Sequence, residues 1–303
     1  MASVVEQANS VEDQRVGYDG FGDSMPRPYA RPVRQLIDGP VVTHVIDPDL
    51  EGEVASVFYL HGGGYMIGSL RSHRAFLELL SAKLGVRVYF PEYRLAPEHR
   101  YPSAVDDAVG AYEAVLRSGV APKTVAVVGD SAGGGLALAA VLAIRDRSIP
   151  LPGAVIALSP WADMVGTGES RKSQEGIDPM LAQEGLDEMA AAYLGPAAAT
   201  SPYASPAYGD FSGYPPLLLQ VGECEILRDD ALIVAERATA ADVRVQVEVW
   251  PEMTHVFQTF APLLPPGHEA LEALEHMGRF IAEASGIASV SAPSVSRSPA
   301  AGR

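Results

Sequence analysis

The chain has 303 residues, of which 48% are hydrophobic and 20% charged, a globular composition long enough for one large domain or two small ones and for a sizeable core. Its 22 basic residues face 38 acidic ones, a formal net charge of −16, and no basic stripe is present, which argues against nucleic acid or an anionic membrane surface as a partner. The single cysteine, Cys224, excludes an internal disulfide and a cysteine-built metal cage, and no metal or organic cofactor is expected.

The N-terminal "MASVVEQANSVEDQ" lacks the basic start and apolar core of a secretory signal, and no apolar run reaches 18 residues, so the expected location is cytoplasmic with no membrane span. Residues 1–35 are polar and contain "SMPRPYARP", which suggests a mobile arm or part of a lid. Strands and helices then alternate. "VVTHVID" (41–47) and "ASVFYLHG" (55–62) read as strands, and "SHRAFLELLSAKLG" sets Phe76, Leu80 and Leu84 on one helical face. "VRVYFPEY" (86–93) is a strand. "AVDDAVGAYEAVLRSG" aligns Val105, Val109, Tyr112 and Leu116, with Gly119 at the helix end. "TVAVVGD" is a strand leading into a helix near Ser131. "GAVIALSP" (153–160), "PLLLQVGE" (216–223) and "VRVQVEVW" (243–250) are further strands, with helices in "DDALIVAERATAA" and "HEALEALEHMGRFIAEAS".

Short, almost continuously apolar strands separated by helices predict an α/β fold with a mainly parallel sheet covered on both faces. Between Trp161 and Pro215 the rhythm breaks: "DPMLAQEGLDEMAAAYLG" is helical without a following strand, as an insertion above the sheet would be. The expected organisation is an arm at 1–35, a body at 36–286 with an insertion at about 165–215, and a disordered Ser/Pro/Ala-rich tail at 287–303.

Gly129-Asp130-Ser131-Ala132-Gly133 fits G-x-S-x-G between a predicted strand and a predicted helix, the context in which that pattern makes a strained elbow with a projecting serine hydroxyl. A phosphate-binding loop is excluded, because no lysine followed by Ser or Thr comes after the glycines. "LHGGGYMIGS" also ends a strand in glycines, so the amides of Gly63 and Gly64, with that of Ala132, are expected to form an oxyanion hole.

The expected base is His255, in the loop after the last strand, where parallel-sheet active sites form. The other histidines lie within a strand (His44), within helices (His73, His276), in "APEHRYP" (His99) or at a helix start (His268), and His61 is read as structural. An acid between Ser131 and His255 completes the order Ser…Asp/Glu…His. "LQVGECEILRDD" offers four; Asp229 and Asp230 read as caps of the next helix, which leaves Glu223 and Glu225. Arg94 and Glu98 suggest an ion-pair network bracing the loop below the elbow, Asp130 and Asp163 hydrogen-bond acceptors, and Asp178 the start of a helix over the sheet. Cys224 reads as a small buried hydrophobe or a reactive thiol, and Trp161 and Phe257 as walls of an acyl or alcohol pocket or as core.

Over about residues 35–285 the sequence resembles the bacterial hormone-sensitive-lipase-like esterases of the α/β-hydrolase superfamily, through "HGGGY" and "GDSAGG", and through "YRLAPEHRYPSAVDD" and "SPWAD". The resemblance implies an α/β-hydrolase fold with a helical cap made by the arm and the 165–215 insertion. Relatives usually place the acid in Asp-Pro-Leu-x-Asp; here "EILRD" stands there, so the resemblance implies Glu225 as the acid, 30 residues before His255, one methylene longer at the same charge. It further implies a serine carboxylesterase of short- to medium-chain esters with Ser131, Glu225 and His255 as triad. An amide (N-acetyl) or lactone hydrolase of a secondary metabolite is the alternative. A non-catalytic receptor is remoter, since the plant gibberellin receptors that resemble this family lack the histidine that His255 supplies. The expected partner is a small-molecule ester, with a homodimer left open.

Overall fold

The structure, a computed structural model, describes residues 10–36, 38–50 and 52–287. The first nine residues of the expected arm, and the expected tail apart from Ile287, lie outside the described residues.

Eight strands form one sheet: β1 (Val33–Leu36), β2 (Thr43–Ile46), β3 (Ser56–Leu60), β4 (Arg87–Pro91), β5 (Val125–Asp130), β6 (Ala154–Leu158), β7 (Leu217–Gly222) and β8 (Val245–Trp250). Their order is β1-β2-β4-β3-β5-β6-β7-β8. β1 with β2 and β2 with β4 run antiparallel, and every other neighbour is parallel. Each strand expected between 41 and 250 is present. β1 was not expected, since "VRQL" is a short, half-exposed edge strand with little apolar signal.

Alternation along the strands divides the core. Val57, Tyr59, Val128 and Ile156 face α2 (Leu70–Leu84) and α8 (Glu269–Ser285). Phe58, Leu60, Val127 and Val155 face α3 (Ser103–Arg117), α4 (Ala132–Asp146) and α7 (Arg228–Ala240). Phe76, Leu80 and Leu84 of α2 are buried as their spacing predicts, and so are Val105, Val109 and Tyr112 of α3. Gly119, at φ 97°, follows the end of α3 in a conformation glycine adopts readily.

Two segments stand outside this three-layer frame. The first is α1 (Val11–Ser24), opened by a capping box in which Ser10 accepts from Asp13 N and the Asp13 carboxylate accepts from Ser10 N. α1 packs on α2, closely enough at Gly22 that a Cβ there would lie 2.4 Å from the Ser72 Cα. Arg15 ties α1 to two loops: Nε donates to Met66 O (2.9 Å), and the guanidinium nitrogens to Ala96 O (3.0 Å) and both Glu98 oxygens (2.7 Å). Glu98 therefore pairs with Arg15, and Arg94 pairs bidentately with Asp107 at 2.8 Å; the two residues brace their loop through separate partners rather than as one network.

The second segment holds α5 (Ser170–Ser173) and α6 (Gln183–Leu194), between β6 and β7. Asp178 does not begin α6, which starts five residues later. Its carboxylate instead accepts from Met180 N and Leu181 N in a local turn and from Ile226 N across the structure.

The junction of β5 and α4 sets the position of everything above the sheet. A Cβ on Gly133 would lie 2.1 Å from Leu60 O and 2.3 Å from His61 O, and one on Gly129 would lie 2.1 Å from Gly133 O. These neighbours are backbone atoms at the end of β3 and in α4, and they cannot turn aside as a side chain could. Gly133→Ala is therefore expected to cost about 3 kcal/mol of folding stability, the upper end for overpacking, measured by urea denaturation. A midpoint equal to that of the unsubstituted protein would show that the crossing tolerates a side chain.

Candidate active site

Ser131 stands between β5 and α4 with φ 54° and ψ −123°, a backbone state costly for any residue with a side chain. Three backbone bonds hold it there: its N–H donates to Leu158 O (2.8 Å), and its carbonyl accepts from Gly135 N (3.0 Å) and Trp161 N (2.9 Å). The hydroxyl lies at the N-terminus of the 15-residue α4, where the helix dipole favours negative charge.

His255 follows β8, and its Nε2 lies 2.9 Å from Ser131 Oγ. Its Nδ1 lies 3.0 Å from Glu225 Oε2. Both ring nitrogens are thus engaged, as a neutral imidazole requires when Nδ1–H donates to a carboxylate and Nε2 accepts from a hydroxyl. Glu225 and His255 are buried. The second Glu225 oxygen, Oε1, accepts from Ser159 Oγ (2.7 Å) and Gly222 N (2.5 Å). Of the two acids that elimination leaves open, Glu223 is exposed and accepts from Glu252 N (3.2 Å), and only Glu225 reaches the imidazole.

Asp229 and Asp230 are not caps: α7 begins after Leu227 with no side-chain cap. Asp229 accepts from Ser170 N (2.8 Å), while Asp230 accepts from Ala162 N (2.9 Å) and Asp163 N (2.8 Å) and pairs with Arg171 at 3.1 Å. Burial pushes the Asp230 carboxyl up to about 6 against the pull of Arg171. Short side chains with backbone N–H groups inside hydrogen-bond range anchor the crossing loop instead of the helix end.

The β3 loop lies beside Ser131. Gly63 (φ 110°) and Gly64 (φ 61°) adopt conformations that exclude most side chains, and Gly63 O accepts from both Met66 N and Ile67 N in a tight turn. Asp130 clamps this loop: its Oδ1 accepts from Gly62 N (3.0 Å) and Tyr59 OH (2.7 Å), with His73 Nε2 at 3.4 Å. Burial alone would raise the Asp130 carboxyl, but His73, Tyr59 and His61 outweigh it and hold the group below its ordinary value. Asp163 is likewise an acceptor, from Val165 N and from the Thr167 amide and hydroxyl. His61 is buried under the loop, stacked on Tyr93 at 4.2 Å, and burial with His73 nearby lowers it to about 4, so it stays neutral near pH 7. That fits its structural reading.

The two aromatic candidates are not brought together. Trp161 is buried in the core facing α3 and α4, 6.1 Å from the Tyr65 ring. Phe257 lies in the opposite core, 5.7 Å from Trp250. Two residues to which the sequence assigns no role contact the site residues. Ser159 contacts Glu225, and Met189 of α6 lies over the β3 loop, its Sδ 2.1 Å from where a Gly64 Cβ would be. Ser159 could have been suspected from its place at a strand end; Met189 could not, because a methionine on an insertion helix carries no chemical signature.

Among the described residues no group of three or more His, Cys, Asp or Glu side chains is arranged to hold a metal ion, and no helix is long and apolar enough to cross a membrane. A serine hydroxyl at a strained elbow, a histidine and a carboxylate in series, and a glycine-rich loop beside them form an arrangement chemically able to attack a carbonyl carbon.

Residues 57–259 match the alpha/beta hydrolase fold family model. The chain is 39% identical over 276 residues to an acetyl-hydrolase from Streptomyces hygroscopicus, covering 91% of each chain. It is 37% identical over 216 residues to an esterase from Acinetobacter venetianus, covering 71% of each. The crystal structure of an esterase from the bacterial hormone-sensitive lipase family superposes with a TM-score of 0.88 at 41% identity, over 93% of this chain and 94% of that one. The chain belongs to the α/β-hydrolase fold family, among the esterases of the bacterial hormone-sensitive lipase family.

Proposed function

We propose that this chain hydrolyses carboxylic esters by two-step acyl transfer through Ser131, His255 and Glu225. The chain is a carboxylic ester hydrolase, as its esterase and carboxylesterase relatives are. The observation that carries the residue assignment is the unbroken series from Ser131 Oγ through His255 to Glu225, with contacts of 2.9 and 3.0 Å.

His255 Nε2 takes the Ser131 proton as Oγ bonds to the ester carbonyl carbon. The carbonyl oxygen becomes an oxyanion held by the N–H groups of Gly63, Gly64 and Ala132. Glu225 holds Nδ1–H in place and stabilises the imidazolium. His255 then returns the proton to the leaving alcohol, and the C–O bond breaks. Water repeats the sequence on the acyl-enzyme, releasing the acid and restoring Ser131. An organophosphate should form one adduct, mapped by peptide mass spectrometry to Ser131. Ser131→Ala should lose several orders of magnitude in kcat and retain a rate about 10³–10⁴ over water; an active Ser131→Ala would refute the assignment.

Glu225 does not touch the substrate in this scheme, so its loss should fall on kcat rather than on KM. Glu225→Gln is expected to lower kcat by at least about 10²-fold with KM little changed. Asp229→Asn and Asp230→Asn should act through the loop they anchor, visible in the thermal midpoint. A Glu225→Gln enzyme of normal kcat beside a folded, inactive Asp229→Asn would move the acid four positions along the chain.

α1 and the 165–215 insertion form, in this reading, a cap that limits acyl length. Met189 over Gly64 supports it, and so does a cavity of about 250 Å³ lined by Phe21, Met180, Val256 and Phe260 beside the His255 loop. Among p-nitrophenyl esters, acyl chains of about two to eight carbons should be hydrolysed fastest. A sixteen-carbon ester turned over fastest without detergent would remove the cap from this account. The acetyl-hydrolase name of the Streptomyces relative favours acetyl transfer to water as a second reading, and matched acetyl ester, acetyl amide and lactone substrates separate the two.

A further inference from the structure

We propose that Ser159 is a positioning residue for the triad, its hydroxyl fixing the Glu225 carboxylate and the His255 loop at once. The inference rests on the reading of Ser131, His255 and Glu225 given above.

Ser159 follows the last residue of β6, fully buried, with φ 47°. A serine in the left-handed region is uncommon, and such positions persist where the surroundings over-determine them. Here its N–H continues the sheet by donating to Gln220 O (2.7 Å), while Pro160 and Trp161 turn away so that Trp161 N reaches Ser131 O. That turn places the hydroxyl between two other strand ends. Oγ lies 2.7 Å from Glu225 Oε1, beyond β7, and 3.1 Å from Val256 N, beyond β8.

The single hydroxyl hydrogen has one place to go. Val256 N is a donor, so Oγ accepts from it and must donate to the carboxylate. Glu225 Oε1 then holds two donors, Ser159 and Gly222 N, and Oε2 is left for His255 Nδ1. Without the hydroxyl, Oε1 keeps only Gly222 N, and the carboxylate can pivot about its extra methylene. The same loss leaves Val256 N, next to His255 and itself at φ 48°, without its acceptor. One atom thus restrains both ends of the hydrogen bond between the acid and the base.

The test uses Ser159→Gly and Ser159→Ala in the full-length chain, assayed on p-nitrophenyl butyrate across pH, alone and combined with Glu225→Gln. Glycine accepts φ 47° without strain, so Ser159→Gly removes the hydroxyl while easing the backbone. Circular dichroism and the thermal midpoint check the fold of each. The expected result is a fall in kcat of about 10–100-fold with KM changed less than about 2-fold, by analogy with the loss of a hydrogen-bond partner to a metal-ligating side chain. In the Glu225→Gln background the further loss should be several-fold smaller than in the native background, because the part that acts through the carboxylate is already gone and only the hold on Val256 N remains. A Ser159→Gly enzyme with unaltered kcat, or an equal loss in both backgrounds, overturns the role of Ser159. If Glu225→Gln itself has normal kcat, the triad reading falls and this inference with it. An impaired Glu225→Gln beside a fully active Ser159→Gly removes only the inference.

Discussion

The closeness of backbone to backbone where β5 turns into α4 is the constraint on which the rest of the molecule depends. Gly133 lies against the last carbonyls of β3, Gly129 against Gly133, and Gly135 against Trp161 O, where a Cβ would lie 2.0 Å away. With no side chains in the crossing, the helix N-terminus, the end of β3 and the turn after β6 converge on Ser131. The strain at Ser131 is a local cost of order 1–3 kcal/mol. It is met by α4, whose residues from Ala132 to Ile144 are all buried. Burial of one leucine-sized side chain contributes about 2 kcal/mol, so a helix of this kind can hold a strained residue at its start without threatening the fold.

Around that elbow the protein buries carboxylates, which demands donors for each. Asp130 and Glu225 flank Ser131 from opposite sides. Asp130 gathers Tyr59, Gly62 N and His73 and so fixes the glycine loop; Glu225 gathers Ser159, Gly222 N and His255 and so fixes the imidazole. Each charge spends its remaining lone pairs on holding a neighbouring loop. The buried polar groups here are the fasteners that let four loops, each leaving a different strand, present atoms within hydrogen-bond range of one another.

What could be read in the sequence follows from which forces leave a local pattern. The interior strands and most of the helices were legible because continuous apolar runs and periodic burial write themselves into adjacent residues. Ser131 and His255 stand out in the sequence because a place after a strand is part of the chemistry proposed for them. β1 was not, since an edge strand of four residues needs little apolar character. α1 was not recognised as a helix because its faces are polar and its hold on the body comes from Arg15, Asp19 and Asp23 rather than from a stripe of large side chains. Asp178, Asp229 and Asp230 were misread for one common reason. Their type and position fit helix starts, but each also accepts from a backbone N–H group 48 to 68 residues away in sequence, and nothing in a linear sequence marks such an acceptor's target. The choice between Glu223 and Glu225 is of the same kind: two residues apart after the strand, one points to solvent and the other inward.

Those misread carboxylates also bear on how the proposed cap relates to the chemistry. The 165–215 segment is fastened to the stretch that carries the acid: Asp178 accepts from Ile226 N, Ser170 Oγ donates to Ile226 O, and Arg171 pairs with Asp230. α1 is fastened instead to the glycine loop, through Arg15 on Met66 O, and Met189 of α6 rests on Gly64 from above. The 165–215 segment therefore leans on both the Glu225 stretch and the glycine loop, whereas α1 leans on the glycine loop. Displacement of either part has to break hydrogen bonds made to backbone within two or three residues of Glu225 or Gly63. If these segments form the proposed cap, it would be more than a passive sieve for substrate size, because their position and the geometry at Ser131 share the same bonds. Substitutions in the insertion should accordingly be read for their effect on kcat as well as on substrate choice, even where the altered side chain touches no substrate.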